Sequence, residues 1–418
     1  MSASRASSLE KGGRGFNSRV LVVAHEFPFP PIGGGRIKTY HVLKALVPYH
    51  EVHLFALKEN SDIDHNSCDL PLASTTIIPI RRHRQLLGYL SALFSPLPYG
   101  FKVISTKQVR HALAELIDRV NPDLIVVDSA SMAHLLAGNS QAKVLTQADC
   151  FSLLEKRLAR SSGFLPLKLH YWIYYLKALW YEKRIYPSYD ACIVVSPIDA
   201  EALRVVIDGS VPIHYVPNGV DVNFFKPLEV PVQRQSLVFV GSMHYMPNVQ
   251  AAISLVHDIL PGVRQSYPDA KVFIVGRDPT PAVLALADIK GVVVTGAVED
   301  VRPWIAQSEI AVIPLWAGTG IKNKVLEILA MGKPLVTTPI GAEGLAIVDG
   351  IHALIRRNPR EITDAVISLL QSPDLQRRLC KEGREFAESQ SWDRAEETYA
   401  RVVAEVLSRR HPVPFRYV

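Results

Sequence analysis

The stretch EIAVIPLWAGTGIKNKVLEILAMGKPLVTTP, residues 309–339, changes its hydrophobic period twice. EIAVIPL (309–315) is a near-unbroken apolar run of strand length, and WAGTG (316–320) is a glycine-bearing loop. From about Ile321 to Met331 the apolar residues Val325, Ile328 and Leu329 recur at helical spacing. Gly332 suits the position after a helix end, Pro334 stops further helix, and KPLVTTP (333–339) reads as a second strand. Strands that alternate with helices in this way build parallel sheets.

Two lysines, Lys322 and Lys324, open that helix, where the macrodipole already disfavours cations. Gly318 and Gly320 permit close backbone approach just before it. A loop of free N–H groups at a helix N-terminus, with two ammonium groups beside it, makes an anion site, and a bound diphosphate would account for the lysines. The competing reading is a solvated pair of Lys324 with Glu327, three residues on.

The same alternation extends through the chain. The first half offers RVLVVAH (19–25), EVHLFAL (51–57), TTIIPI (75–80), DLIVVDS (123–129), AKVLTQ (142–147) and ACIVVS (191–196). The second offers LVFVGS (237–242), KVFIVG (271–276) and GVVVTG (291–296) before the opening unit. Apolar runs without alternation fit strands buried on both faces. Ligands of doubly wound sheets bind beyond the carboxyl ends of the strands, where Gly241, Gly276 and Gly296 fall. Any one of these could simply end a strand, but three would line one edge of one sheet.

The first half has a parallel feature in HEFPFPPIGGGRIKTYHVLKAL (25–46). Gly33, Gly34 and Gly35 precede Arg36 and Lys38 at a helix start, which resembles a phosphate-cradling turn. A flexible proline-glycine loop is the alternative. The spacing is not GxGxxG, so a nicotinamide cofactor is disfavoured.

At 418 residues, 48% hydrophobic and 21% charged, the chain fits a globular protein of more than one domain. The expected divisions are a disordered tail over 1–18, a first doubly wound domain over 19–212, a second over 213–390, and a last helical segment over 391–418 that packs back on the first domain. Pro217, Pro227, Pro231 and the Asn218-Gly219 turn mark the central break. The net charge of +6 is compatible with nucleic acid, an anionic membrane surface or phosphate-bearing ligands and does not choose among them. Cys68, Cys150, Cys192 and Cys380 have no metal-ligand spacing and read as reduced thiols of a cytoplasmic protein. The tail has no apolar core of a secretory signal, and no apolar run approaches the roughly 20 residues of a membrane helix.

With both glycine loops and HYVPNGVDVNFFKP (214–227) in view, the chain resembles the retaining family 4, or group 1, glycosyltransferases of the GT-B fold. The resemblance runs from about Arg19 to Leu407 and is densest over 294–345. VFVGSMHYMPNVQA and GIKNKVLE look closest to sugar transferases of exopolysaccharide and exosortase loci. It implies two Rossmann-like domains facing a central cleft, with a nucleotide-sugar donor on the second and a hydroxyl acceptor on the first. No metal and no resident cofactor is implied, so side-chain cations and helix N-termini stabilise the leaving diphosphate.

The resemblance also implies roles residue by residue. Glu327 matches the second glutamate of the family's E-x7-E motif, which holds the ribose. Eight residues earlier, 327 − 8 = 319, stands Thr319 where the first glutamate would touch the donor sugar. Donor contacts are further implied for Gly318, Gly320, Lys322, Gly241, Ser242, Gly276, Val298 and Glu343. The loop Gly241 to Asn248 has neither the arginine nor the lysine that many members place on the diphosphate. Lys324 matches a lysine that related subgroups carry and is the catalytic cation implied. Asp149, in LTQADCFS (145–152), stands where many members have a histidine motif, and the backbone of Gly34 joins it as catalytic. Gly33, Gly35 and Arg36 form the acceptor-side phosphate loop.

Several alternatives stay open at this point. Asp149 binds the acceptor or takes its proton, or it caps the following helix. Glu343 touches the donor sugar, or caps the next helix. His25, ending the first strand, is a site candidate or a histidine satisfied by backbone. RRHRQLLGYLSALFSPLPYGFK (81–102) and FLPLKLHYWIYYLKALWYEKR (164–184) either lie on an anionic membrane surface, reaching a lipid-linked acceptor at the inner face of the plasma membrane, or cover the first sheet. Nucleic acid is not expected, because the aromatic segments lack a stacking motif. A sugar-nucleotide epimerase or hydrolase on this fold, or a non-catalytic nucleotide-binding relative, are the rival functions.

Overall fold

A computed structural model describes residues 18–31, 33–59, 68–80, 95–147, 150–161, 165–318 and 321–410. The amino-terminal tail, the basic stretch over 81–94, Asp149, Thr319 and Gly320 lie outside the described residues. The chain forms two compact units. One comprises the chain up to Ile193 with Ala202–His214 and the chain from Glu396 on; the other comprises Val194–Glu201 and Tyr215–Ala395.

The first unit is built on β1 (Arg19–Ala24), β2 (Glu51–Glu59), β3 (Ser74–Ile80), β4 (Leu124–Asp128), β5 (Ala142–Thr146), β6 (Ala191–Val194) and β7 (Ile213–Tyr215). Their order is β3-β2-β1-β4-β5-β6-β7, and β1 pairs in parallel with both β2 and β4. Every residue of β4, β5 and β6 is buried, so these strands read as continuous apolar runs, while the edge strand β3 is largely half-exposed. The sheet is flanked by α1 (Gly34–Leu46), α2 (Phe151–Ser161) and α3 (Leu165–Ile185).

The second unit holds β8 (Gln233–Val240), β9 (Lys271–Val275), β10 (Val292–Val294), β11 (Ser308–Ile313), β12 (Leu335–Thr337) and β13 (Leu354–Ile355), in the order β10-β9-β8-β11-β12-β13. Again the central strand, β8, pairs in parallel on both sides, with β9 and β11. Helices α4 (Met246–Ser254) and α5 (Asn323–Ala330) follow β8 and β11. Val325, Leu326, Ile328, Leu329 and Ala330 of α5 are fully buried in the core of this unit. A Leu or Ile withdrawn from water in this way contributes roughly 1.5–3 kcal/mol. The helix ends as expected, with the Gly332 and Lys333 amides donating back to Leu329 and Ile328 carbonyls.

The last helix, α6 (Trp392–Arg410), buries Trp392, Ala395, Tyr399 and Val402. From Glu396 on it belongs to the first unit, where the Glu396 carboxylate meets His41 Nδ1 at 2.6 Å and Lys44 Nζ at 3.0 Å on α1. Arg410 pairs with Asp190 at 2.7 Å.

Three details depart from the sequence reading. β7 and β13 were not expected, because strands of two and three residues at a sheet edge show no period. β8 begins four residues early, its polar start Gln233–Ser236 being supplied with partners by the neighbouring strands. The helix expected from Ile321 starts at Asn323, so Lys322 is the residue before the helix and only Lys324 lies in its first turn.

Candidate functional site

In each sheet the chain reverses its order at the central strand, and the loops on either side of that reversal diverge to leave a crevice. In the second unit those loops follow β8 and β11. The loop after β8 starts at Gly241, whose amide donates to the Val275 carbonyl at 3.0 Å; Met243 N donates to Arg277 O at 2.8 Å. These bonds bind it to the loop after β9. Gly276 has φ +153, and a Cβ there would stand 1.7 Å from the Gly241 carbonyl oxygen, so no side chain fits. Gly241, Gly276 and Gly296 do follow three adjacent strands along one edge.

Across the reversal, α5 brings Lys324 to this loop. Its Nζ donates to Asn248 Oδ1 at 2.7 Å and lies 4.9 Å from the centroid of the buried Phe239 ring. Asn248 is itself buried and donates Nδ2 to the Ser242 carbonyl at 2.9 Å, so it fixes the loop and the ammonium together. A Cβ at Gly241 would stand 2.7 Å from Lys324 Nζ; the missing side chain leaves the ammonium its room. Asn248 carries no sequence signal for this role beyond its place after the glycine loop. The helix start is also tied to the central break, with Asn218 Nδ2 donating to Asn323 Oδ1 at 3.3 Å.

Glu327 stands one turn along the same helix. Burial pushes its carboxyl up to about 7, opposed by the nearby Lys324 charge. Burial likewise pulls the Lys324 ammonium down to about 7, with Glu327 acting to raise it and Lys322 to lower it further. Both side chains keep part of their surface accessible. Among the described residues, no hydrogen bond reaches the Glu327 carboxylate, and Lys324 spends one of its three donors. The solvated surface pair is therefore not what forms: the two charges are largely stripped of water and keep hydrogen-bonding capacity for a ligand. Lys322 folds beside Gly318, where φ is +132 and a Cβ would lie 3.5 Å from Lys322 Cε.

The other expected donor residues lie around this edge. Ser242 Oγ is 3.0 Å from His244 Nδ1. Val298 packs against the unit's core after β10. Glu343 sits in a turn after β12, its amide directed to Ile340 O at 3.3 Å; no helix begins there, so the capping alternative is excluded.

In the first unit the reversal lies between β1 and β4. Helix α1 starts at Gly34 behind Gly33, and the first helical amide bond is Ile37 N to Gly33 O, which leaves the Gly34, Gly35 and Arg36 amides outside the helical ladder. The cations here have carboxylate partners: Arg36 pairs with Glu26, and Lys38 pairs with buried Asp128. Asp128 also accepts from Thr39 and, at 2.6 Å, from Thr146 Oγ1. What remains of the expected phosphate loop is its backbone. His25 Nδ1 is 2.9 Å from Ser131 Oγ. The start of α2 is capped by Glu182 of α3, which accepts from Ser152 N at 3.1 Å. Among the described residues no cluster of three His, Cys, Asp or Glu side chains is placed to hold a metal.

Comparison with known proteins agrees with this architecture. The description "Glycosyltransferase Family 4" matches residues 32–224, and "Glycosyl transferases group 1" matches residues 234–372. An "Uncharacterized 44.6 kDa protein in cps region" of Klebsiella pneumoniae is 20% identical over 81% of this chain and 87% of its own length. The "Uncharacterized glycosyltransferase MJ1178" of Methanocaldococcus jannaschii is 23% identical, over 38% of this chain and less than half (44%) of that protein. Sucrose-phosphate synthase of Thermosynechococcus elongatus superposes with a TM-score of 0.69 at 16% identity, covering 94% of this chain and all (100%) of that one. Anabaena Alr3699/HepE, solved in complex with UDP, gives 0.61 at 12% identity, over 93% of this chain and 100% of the other. The two Rossmann-like units are those of the GT-B fold. The chain belongs to the family 4, group 1 glycosyltransferases.

Proposed function

We propose that the chain is a retaining glycosyltransferase that moves a hexose from a nucleoside diphosphate sugar to a hydroxyl of a lipid-linked or polysaccharide precursor in cell-surface glycan synthesis. The observation that carries this reading is the Lys324 ammonium, largely stripped of water and held by Asn248 at the edge of the second sheet, with the Glu327 carboxyl, which no described residue hydrogen-bonds, beside it. HepE, a protein of the same fold, binds UDP, and the Klebsiella relative is named for a cps region; both support the donor and acceptor classes.

In this reaction the bond between the anomeric carbon and the diphosphate oxygen breaks, and its electron pair stays on the diphosphate. Lys324 and Lys322 stabilise that charge as it develops, together with the main chain at Gly318, Gly320, Gly241 and Gly276. Glu327 accepts from the ribose hydroxyls. Thr319, Ser242, Val298 and Glu343 contact the donor. The acceptor oxygen bonds to the anomeric carbon on the face the leaving group quits, and its proton passes to a base, for which Asp149 is the proposed group. The main-chain amides of Gly34, Gly35 and Arg36, with Gly33, serve the acceptor side. The reaction is proposed to need no metal, on the inner side of the plasma membrane.

Incubation with a panel of nucleotide sugars and an acceptor pool, followed by mass spectrometry and product NMR, tests this. A glycosylated acceptor of retained configuration is expected. An epimerised or hydrolysed sugar nucleotide formed without acceptor would overturn it.

A further inference from the structure

Helix α3 has two apolar faces, and the fold uses one of them. Inward, Ala178, Tyr181 and Glu182 are fully buried, with Tyr181 donating to the Ala130 carbonyl at 2.7 Å. Outward, Leu165, Leu169, Ile173, Leu176 and Trp180 are 75, 61, 36, 62 and 45% exposed. Steps of four, four, three and four residues set them in one stripe along four turns of helix. A surface helix ordinarily turns polar residues to water there, and single exposed apolar residues are common, whereas a continuous row marks a contact surface.

The charges around the stripe identify its partner. Lys168, Lys183 and Arg184 are exposed on α3, the last two extending the stripe at its carboxyl end. The helix's one acidic residue, Glu182, lies beneath, capping α2. The surface is thus apolar along its middle and positive at its ends, complementary to a leaflet of acyl chains and anionic headgroups. A second copy of the chain would set like charges against each other. No described helix is long and apolar enough to cross a membrane, and a helix apolar along its exposed face and basic at its ends suits the interfacial plane.

We propose that α3 docks the protein on an anionic membrane surface, with the Leu165–Trp180 stripe at the acyl boundary and Lys168, Lys183 and Arg184 on headgroup phosphates. The inference stands independently of sugar transfer, though a lipid-linked acceptor would be presented on such a surface.

Co-sedimentation of the full chain tests it, using vesicles of phosphatidylcholine alone and of phosphatidylcholine with phosphatidylglycerol. Binding to the mixed vesicles, weakened by salt, is expected. The double variant Leu169→Asp/Leu176→Asp should lose at least about tenfold in partitioning, and Lys183→Ala/Arg184→Ala roughly fivefold per charge. All four positions are exposed, so thermal unfolding and UDP affinity should be unchanged in both variants. That separates failure of the membrane surface from failure of the donor site. The proposal is overturned if the wild type ignores the mixed vesicles, if the aspartate variant pellets with them as well as wild type does, or if that variant instead dissociates a lipid-free dimer.

Discussion

Lys324 Nζ lies 2.7 Å from Asn248 Oδ1, and this bond joins the first turns of the two helices on either side of the strand-order reversal in the second sheet. The residues are 76 positions apart. Lys324 leaves a helix whose own dipole opposes its charge, and Asn248, Phe239 and Glu327 are the groups that offset this. Charged-group hydrogen bonds contribute about 1.5–3 kcal/mol, so Lys324→Ala should weaken nucleoside diphosphate binding about ten- to hundred-fold. Asn248→Ala, which frees the ammonium without removing it, should cost roughly a few-fold. Isothermal calorimetry with UDP and its sugars measures both. Equal affinity in Lys324→Ala and wild type would remove the site.

Binding should also depend on pH in a direction set by the lysine. With Lys324 held down to about 7, the free protein at mildly alkaline pH carries it mostly neutral. A diphosphate beside it favours the ammonium, so binding takes up a proton and affinity falls as pH rises above about 7. Titrations in two buffers of different ionisation enthalpy report that proton directly. Lys324→Met should show no uptake.

Glu327 gives a stability test of opposite sign. Its folded value, about 7, lies above the ordinary glutamate value, so between the two the folded state holds a proton that the unfolded state has released. Its contribution is therefore present below the unfolded value and is lost as pH rises toward 7. Glu327→Gln should unfold at the same denaturant concentration as wild type near pH 4 and at a higher one near pH 7. Parallel behaviour of the two proteins across that range would contradict it.

Two glycines on one wall should respond differently to the same substitution. At Gly276 a methyl group meets the Gly241 carbonyl oxygen at 1.7 Å, which is main chain and cannot swing aside. Gly276→Ala should cost more than about 3 kcal/mol or prevent folding. At Gly241 the nearest atoms are Lys324 Nζ at 2.7 Å and Asn248 Nδ2 at 2.8 Å, both side-chain ends that can shift where a carbonyl cannot. Gly241→Ala should fold with a loss under about 1.5 kcal/mol while its diphosphate affinity drops. Urea unfolding and calorimetry separate the two effects.

In the first unit, Lys38 and Asp128 have side chains 7% and 2% exposed. Removing one partner leaves an uncompensated buried charge, which costs about 3–5 kcal/mol. Lys38→Met should therefore lower stability by that order in urea unfolding, and Lys38→Met/Asp128→Asn should recover part of it.

The parallel strands were legible because burial on both faces removes the polar alternation that other strands show. VLVV of β1 and IVV of β4 read as strands for that reason, whereas Ile213–Tyr215 and Leu354–Ile355 are too short to read. The edge glycines and the placing of Lys324 and Glu327 one turn apart on one helix were also visible, since each depends on neighbours in sequence. Asn248 was not, because its role is a contact made by folding. Arg36 and Lys38 looked like free cations after a glycine run; Glu26 and Asp128, ten and 90 positions away, already neutralise them.

The bonds between the loops after β8 and β9 have a consequence for how this enzyme can diversify. On that side the two loops are held together by main-chain bonds, and a side chain at Gly276 would strike the Gly241 carbonyl. A wall closed by peptide groups at these points leaves little room for a new side chain, so substitution there disturbs the loop itself before it could alter a ligand contact. Under the proposed donor site, a change of sugar preference is therefore expected from side chains on the opposite bank, in the stretch from Trp316 to Glu327.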